Sequence, residues 1–171
     1  PTVANGVVYT YGAQGMLHAI DLATGKKLWH ADLQEWYGAK KGFFGTGCTP
    51  LVANGQVWLT TALNDGHSLH AVCVDAASGK IVRDVEVFKV ETPPEKHKRN
   101  SYASPTGIIE GDSVFVHFGP MGTACIDAKS GSVRWENREL AWDTQNGPGG
   151  SLAIWKDKLI LACDGRDAQY E

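Results

Sequence analysis

The chain has 171 residues, of which 43% are hydrophobic and 20% are charged, and these proportions indicate a globular protein rather than a disordered one. Its formal net charge of −3 leaves no basic surplus of the kind that nucleic-acid-binding domains carry, so we expect no nucleic-acid partner. No apolar run approaches the roughly 18 residues of a membrane-spanning helix, and we expect no membrane span. The wide spacing of the cysteines excludes Cys-x-x-Cys metal and redox motifs.

The first unit of the chain, residues 1–33, consists of short apolar runs separated by turn residues. Asn5-Gly6 lies between two such runs, and this dipeptide is a strong signal for a two-residue β-hairpin. Further turns at 12–15 and at Thr24-Gly25 delimit strands that we predict over 7–11, 16–21 and 27–32. With the run before Asn5, the unit holds four short strands joined by tight turns.

The same plan recurs three more times along the chain. The second unit, 49–88, predicts strands over 56–62, 68–75 and 80–88 after a hairpin turn at Asn54-Gly55. The third unit, 104–140, predicts strands over 113–118, 123–127 and 132–137. The fourth unit, 149–171, predicts strands over 151–155 and 158–163 and contains no third or fourth strand.

A short motif marks the junction of the third and fourth strands in each of the first three units. It reads Asp-x-x-Thr/Ser-Gly, with an aromatic or basic residue four positions after the glycine. The glycine suits a turn that needs positive φ, and the Asp, Ser and Thr side chains cap the local backbone. The recurring positions are Asp21, Gly25 and Trp29; Asp75, Gly79 and Arg83; and Asp127, Gly131 and Trp135. We interpret these residues as structural parts of a repeat.

The spacing of the units predicts the architecture. Their first hairpin turns are separated by 49, 56 and 45 residues, and four-stranded units at about this spacing are typical of β-propeller blades. We therefore predict an all-β fold, a partial β-propeller of about three and a half four-stranded antiparallel blades forming a single domain over 1–171. A blade normally buries both faces against its neighbours. We expect the two terminal faces to be covered by the rest of the propeller or by a second copy.

The repeats resemble the PQQ-like (quinoprotein-type) β-propeller family, through Pro-x-x-x-x-Gly-x-Val-Tyr/Trp and Asp-x-x-Thr-Gly-Lys-x-x-Trp. The resemblance covers essentially the whole chain and extends to a bacterial group of exported propellers similar to the lipoprotein of the outer-membrane barrel-assembly machinery. It implies a periplasmic or cell-surface location. It also implies that Trp29 and Trp135 lie on outermost strands and dock against the neighbouring blade, whereas Arg83 departs from the pattern.

The family contains both enzymes and binding proteins, so the resemblance leaves two functions open. Its dehydrogenases hold PQQ with Ca²⁺ or a similar cation and often have two adjacent cysteines, which are absent here. Asp164 and Asp167 have oxygens suited to a cation, although their place in the repeat favours an ordinary turn. We expect no cofactor and no metal site in this segment. PQQ with Ca²⁺ belongs only to the alternative function.

Two other residue pairs each allow a chemical and a structural interpretation. Cys73 and Cys125 occupy the repeat position of Ala19, which favours small buried residues and leaves a disulfide as the alternative. His67 and His70 have the separation of a metal pair, yet they span a turn and a strand start. A turn histidine and a histidine at the edge of the core are the favoured interpretation.

The connections between units carry the aromatic residues that a binding site would use. Each connection joins the last strand of one blade to the first strand of the next, so we expect all three at one mouth of the central channel. The candidate ligand-binding residues are Trp36, Tyr37, Phe43, Tyr102 and Trp142. They either contact a partner or cover the channel and the blade edges. We predict a non-catalytic module that binds a protein or carbohydrate, with a PQQ-dependent oxidoreductase whose cofactor residues lie outside this segment as the alternative.

Overall fold

The computed structural model describes residues 1–37, 47–63, 66–140, 142–144 and 146–163, which are nearly all β. They form three four-stranded sheets and one two-stranded sheet, each with its strands antiparallel and in chain order. The predicted all-β partial propeller is therefore confirmed. Within the described ranges, the one α-helix has five residues, and no helix is long and apolar enough to cross a membrane.

The strands follow the chain from sheet to sheet. The first sheet contains β1 (Thr2–Ala4), β2 (Val7–Tyr11), β3 (Met16–Asp21) and β4 (Lys27–Asp32), and helix α1 (Leu33–Tyr37) follows. The second contains β5 (Leu51–Ala53), β6 (Gln56–Ala62), β7 (Ser68–Asp75) and β8 (Ile81–Lys89). The third contains β9 (Ile108–Glu110), β10 (Ser113–His117), β11 (Thr123–Asp127) and β12 (Val133–Asn137). The fourth contains β13 (Ala153–Trp155) and β14 (Lys158–Ile160).

Most strand boundaries agree with the sequence prediction because the turns are encoded locally. Asn5-Gly6 and Asn54-Gly55 have positive φ at both residues, the conformation that a two-residue hairpin requires. The prediction was wrong in the fourth unit, where β13 starts at Ala153 and β14 ends at Ile160. It also missed α1 and the 3-10 turn Gly119–Met121, which are too short to give an apolar period.

The three full sheets share one row of cross-strand partners. In the first sheet Tyr9 pairs with Ala19, which pairs with Trp29. In the other two, this row reads Trp58, Cys73, Arg83 and Phe115, Cys125, Trp135. A β-bulge follows the middle residue in every case. The middle residue is flanked by two large side chains, which explains why it is small in all three sheets, Ala in the first and Cys in the other two.

The core lies between the sheets. The first strands of the three sheets run next to one another, and the sheets stack face to face. One apolar layer joins the first and second sheets through side chains such as Leu17 and Val72, and another joins the second and third through residues such as Leu69 and Val114. Cys48, Cys73 and Cys125 are buried and Cys163 is exposed, and all four are free thiols. Because an apolar layer lies on each side of it, the second sheet is buried on both faces.

One side chain from β4 and one from β8 each dock a sheet against the next sheet. Trp29 on β4 lies over Gly79, where an added Cβ would come 2.6 Å from the indole ring. Its Nε1 donates a hydrogen bond of 3.0 Å to the Ala76 carbonyl in the second sheet. Gly79 has φ +74°, which places the turn under the indole without a side chain in the way.

Arg83 makes the equivalent contact between the second and third sheets. Its Cδ lies 3.1 Å from the position of a Cβ on Gly131, and its guanidinium donates a hydrogen bond to the Lys129 carbonyl. The long aliphatic stem covers the glycine and the charged end stays near solvent, as arginine side chains commonly do. Arg83 departs from the sequence pattern, but it makes the same contact between sheets as Trp29, with a guanidinium in place of an indole.

Two further positions of this kind, one on the first sheet and one on the third, have no such partner among the described residues. Around Gly25, no described residue comes within 4 Å of an added Cβ, although its φ of +69° matches that of Gly79. On the third sheet, Trp135 is 41% exposed on the side that faces the two-stranded fourth sheet. It borders a groove of about 380 Å³ that is also lined by Phe115, Ile154 and Leu159.

Gly25 and Gly79 provide a matched test of this joint. Gly25→Ala introduces only the cost of positive φ, about 1 kcal/mol, because the surrounding space is open. Gly79→Ala adds a collision with Trp29, so we expect a total loss of about 2–4 kcal/mol. Urea unfolding of the two variants measures the difference. Equal losses would show that the Trp29 contact contributes nothing to stability.

Candidate functional site

The first connection begins with helix α1, which is fixed at its start. The Asp32 carboxylate accepts a 3.0 Å hydrogen bond from the Glu35 amide, and the Leu33 amide donates to the Gly15 carbonyl at 2.9 Å. Leu33 is buried. Trp36 is 46% exposed and extends from this fixed base, so α1 presents one large aromatic side chain to solvent.

Tyr37, the last residue of α1, packs inward instead. Its ring centroid lies 5.5 Å from that of His70 on β7, with the planes tilted by 53°. Burial raises the pKa of the Tyr37 hydroxyl well above its ordinary value, and the nearby Asp84 carboxylate raises it further. Tyr37 therefore closes the space between the first connection and the second sheet. Phe43 lies outside the described residues.

Tyr102 and its surroundings order the second connection. The Tyr102 ring lies directly over Gly66, where an added Cβ would come 2.4 Å from the ring, and its hydroxyl donates to the Pro94 carbonyl at 2.9 Å. The Lys96 ammonium lies 5.1 Å from the ring centroid, a cation–π distance. This aromatic residue covers the turn between β6 and β7.

Asn100 joins the second connection to the third. Its side-chain nitrogen donates to the carbonyls of Asn146 and Pro148 at 2.8 and 3.0 Å. Its side-chain oxygen accepts from the Ser101 amide at 2.8 Å and the Ser104 hydroxyl at 2.6 Å. Sequence reasoning did not single out Asn100, since its acceptors are 46 and 48 residues away and no local motif signals them.

Trp142 in the third connection stacks on His117 of β10. The ring centroids are 5.8 Å apart, the planes are inclined by 13°, and His117 is 3% exposed. The His117 Nδ1 forms a 2.8 Å hydrogen bond with the Thr123 hydroxyl on the neighbouring strand. Burial lowers the pKa of His117 to about 4, so the imidazole is neutral at pH 7.

The candidate aromatics thus divide into two groups. Tyr37, Tyr102 and Trp142 pack against strand ends and turns, as expected for residues that cover blade edges. Trp36 is the one described member of the set that is among the exposed large hydrophobic residues. The three connections, at 34–37 and 47–48, 89–103, and 142–144 and 146–150 among the described residues, form the surface that we call the connection face. Its other described candidate aromatics pack against the sheets, and Trp36 projects from it into solvent.

The recurring aspartates are engaged within their own turns. One carboxylate oxygen of Asp21 accepts hydrogen bonds from the Thr24 amide and hydroxyl at 2.7 and 2.6 Å. Asp75 receives the same pair of bonds from Ser78. Hydrogen bonds from the Thr24 and Ser78 hydroxyls, followed by those from the amides, lower the pKa of both carboxyls.

Asp127 adds a charged partner to the same turn. It accepts hydrogen bonds from the Ser130 amide at 2.7 Å and from the Arg134 guanidinium. These two contacts, the Ser130 amide first, hold the pKa of the Asp127 carboxyl far below its ordinary value. Three recurring carboxylates with satisfied local partners act as turn caps.

The other metal candidates are not brought together. The His67 Nδ1 faces the Val90 carbonyl at 2.6 Å, whereas the His70 nitrogens face Asp84 and Ser68. Among the described residues, no group of three His, Cys, Asp or Glu side chains is placed to hold a metal ion. Asp164 and Asp167 lie outside the described residues.

Comparison with known proteins identifies the family. A family model described as "Outer membrane protein assembly factor BamB" matches residues 1–165. The chain belongs to this PQQ-like propeller family. The dehydrogenase subunit of a quinone-type alcohol dehydrogenase from Gluconacetobacter polyoxogenes is 29% identical over 146 residues, which are 79% of this chain and 19% of the relative. The chain therefore spans about a fifth of that relative's length.

Two solved structures show the same fold. BamB from Moraxella catarrhalis aligns with a TM-score of 0.62 at 16% identity, over 92% of this chain and 43% of that chain. Quinohemoprotein alcohol dehydrogenase from Comamonas testosteroni aligns with a TM-score of 0.61 at 22% identity, over 80% of this chain and 20% of that chain. These two likenesses show that the chain has the fold of both structures.

The buried histidine gives a pH test of the connection face. The folded-state pKa of His117 lies below the ordinary value of 6.5. The buried neutral ring therefore contributes stability that is fully present above pH 6.5 and is lost as pH falls towards about 4. Between about pH 7 and about pH 4.5, we expect the wild type to lose about 2 kcal/mol more than His117→Asn. Urea unfolding at several pH values measures this difference. Parallel curves would contradict a buried neutral imidazole.

Proposed function

We propose that this segment is a non-catalytic binding part of a PQQ-like propeller, which contacts a protein or carbohydrate partner through the connection face. The observation that carries the proposal is Trp36, which is 46% exposed on a helix whose base is fixed by Asp32, Leu33 and Gly15. A large aromatic side chain held on a rigid support offers much contact area at little entropic cost. The packed neighbours Tyr37 and Tyr102 keep the surrounding surface in place.

The oxygen ligands that the described residues offer to a cation support a binding function for this segment rather than a PQQ-dependent one. PQQ in this family is accompanied by a hard cation, which requires carboxylate or amide oxygens that converge. The recurring carboxylates of Asp21, Asp75 and Asp127 are occupied by backbone amides and hydroxyls of their own turns. Among the described residues, these carboxylates therefore do not form the converging set of oxygens that such a cation requires.

We further propose that the two outer faces are covered by additional blades, from the rest of the propeller or from a second copy. The open surroundings of Gly25 and the exposed Trp135 support this, because the equivalent positions inside the stack are both occupied. The propeller would act in the periplasm or at the cell surface, in keeping with the family description as an outer-membrane assembly factor.

Trp36→Ala in the full-length protein tests the binding function. We expect the variant to lose most capture of its partner in a pull-down, since truncating an exposed aromatic anchor commonly costs 2 kcal/mol or more of binding energy. Trp155→Ala is the matched control, because Trp155 is 58% exposed on β13 and lies apart from the connection face. Unchanged capture by Trp36→Ala would contradict the proposal.

A PQQ-dependent oxidoreductase is the second candidate, favoured by the 29% identity to a quinone-type alcohol dehydrogenase subunit. In this case the cofactor residues lie in parts of the full-length protein beyond the described residues. Titration of full-length protein with PQQ and Ca²⁺ is expected to give quinone absorbance and dye-linked alcohol oxidation under this candidate. Absence of PQQ binding would eliminate it and leave the binding function.

A further inference from the structure

Two histidines lie side by side on the face of the first sheet that points away from the second sheet. His18 on β3 and His30 on β4 are cross-strand partners in register. Leu17 and Ala19 are fully buried in the layer against the second sheet, and side chains alternate along a strand, so His18 points to the opposite face. The two ring centroids are 6.1 Å apart, with the planes inclined by 26°. The backbone pairing of β3 and β4 therefore holds the two rings together.

This outward face differs from its equivalents at the positions next to the shared cross-strand row. In the first sheet these positions are Thr10 and His18. In the other two sheets they are apolar and at most 3% exposed, namely Leu59 with Val72 and Val116 with Ala124. Burying a polar ring without a partner costs free energy, so packing alone does not account for a histidine at this position.

The ring nitrogens of the pair are available to a ligand. The other four histidines each have a polar group of the protein at a ring nitrogen, and they are His67, His70, His97 and His117. Among the described residues, His18 and His30 have no hydrogen-bond partner at their rings, which contact each other instead. Burial lowers the pKa of His18, and the nearby His30 and Lys27 lower it further. The His18 ring is therefore neutral at about pH 7, and the neutral ring is the form that binds a metal ion.

We propose that His18 and His30 together bind a divalent transition-metal ion of the class of Zn²⁺, Ni²⁺ and Cu²⁺. Imidazole nitrogen suits these ions, whereas Ca²⁺ and Mg²⁺ take oxygen ligands. With metal–nitrogen bonds of about 2 Å, two imidazoles that share one ion have their ring centres roughly 5–6 Å apart. Since the two centroids are already 6.1 Å apart, only a small rotation of the side chains is needed.

The pair supplies two ligands, which is half of a tetrahedral shell. Asp32 is two positions beyond His30 on β4 and so lies on the same face, but its carboxylate accepts the Glu35 amide at 3.0 Å and fixes the start of α1. The remaining positions on the ion are left for water or for a group of the unit that covers this face. The site does not depend on the proposed binding function, because it lies on the first sheet and not on the connection face.

Calorimetric titration of the EDTA-treated full-length protein with NiCl₂ at about pH 7 tests the site. We expect Ni²⁺ to bind to the wild type, and His18→Asn and His30→Asn each to weaken this binding about tenfold or more. Loss of a direct ligand costs at least as much affinity as loss of an outer-shell partner, which is about 10–100-fold. His97→Asn is the matched control, because His97 is exposed in the second connection, and it is expected to keep the wild-type affinity.

Histidine NMR of the wild type gives a second reading that needs no variant. Zn²⁺ is expected to shift the ring signals of His18 and His30 together and to leave the buried His117 ring unchanged. The same Ni²⁺ affinity in the wild type and both pair variants would overturn the site, and so would ring signals of His18 and His30 that do not respond to Zn²⁺. Neither reading involves a partner, so both are independent of whether Trp36→Ala affects capture.

Discussion

The stack depends on one contact: a long side chain from an edge strand lies flat on a glycine of the next sheet and donates a hydrogen bond to a backbone carbonyl beside it. Trp29 and Arg83 both make this contact, on Gly79 and Gly131 respectively. The glycine must have positive φ and no side chain, and the donor must reach about as far as an indole. Where these conditions are met, the sheets come close enough for the apolar side chains on both faces of the second sheet to pack against those of its neighbours.

The sequence was most informative where structure is determined by neighbouring residues. Asn-Gly hairpins and Asp-x-x-Thr/Ser-Gly turns are completed within a few positions, so their recurrence revealed the strands, the sheets and the propeller-type fold. Arg83 was understood only from the structure, because its equivalence to tryptophan rests on reach and on a donor group rather than on residue type. Short connecting elements such as α1 gave no periodic signal.

The connection face was predictable in composition but not in geometry. The sequence placed aromatic residues in all three connections, yet whether each contacts solvent or protein depends on distant residues. Tyr37 packs on His70, Tyr102 on Gly66 and Trp142 on His117, and none of these pairs follows a local spacing rule. The resulting surface has a neutral buried histidine, His117, under the third connection, and under the first connection it has His70, whose ring nitrogens face Asp84 and Ser68.

The joint between sheets has a consequence for how such chains diversify. Its acceptor is a main-chain carbonyl and its contact surface is a glycine, so the docking side chain recognises the backbone of its neighbour and not a particular set of side chains. For this one contact, a duplicated or transplanted unit therefore needs only a glycine turn and a free carbonyl on its new neighbour. Gene duplication and recombination can vary the number and order of units, while selection acts separately on the connections that lie outside the joint.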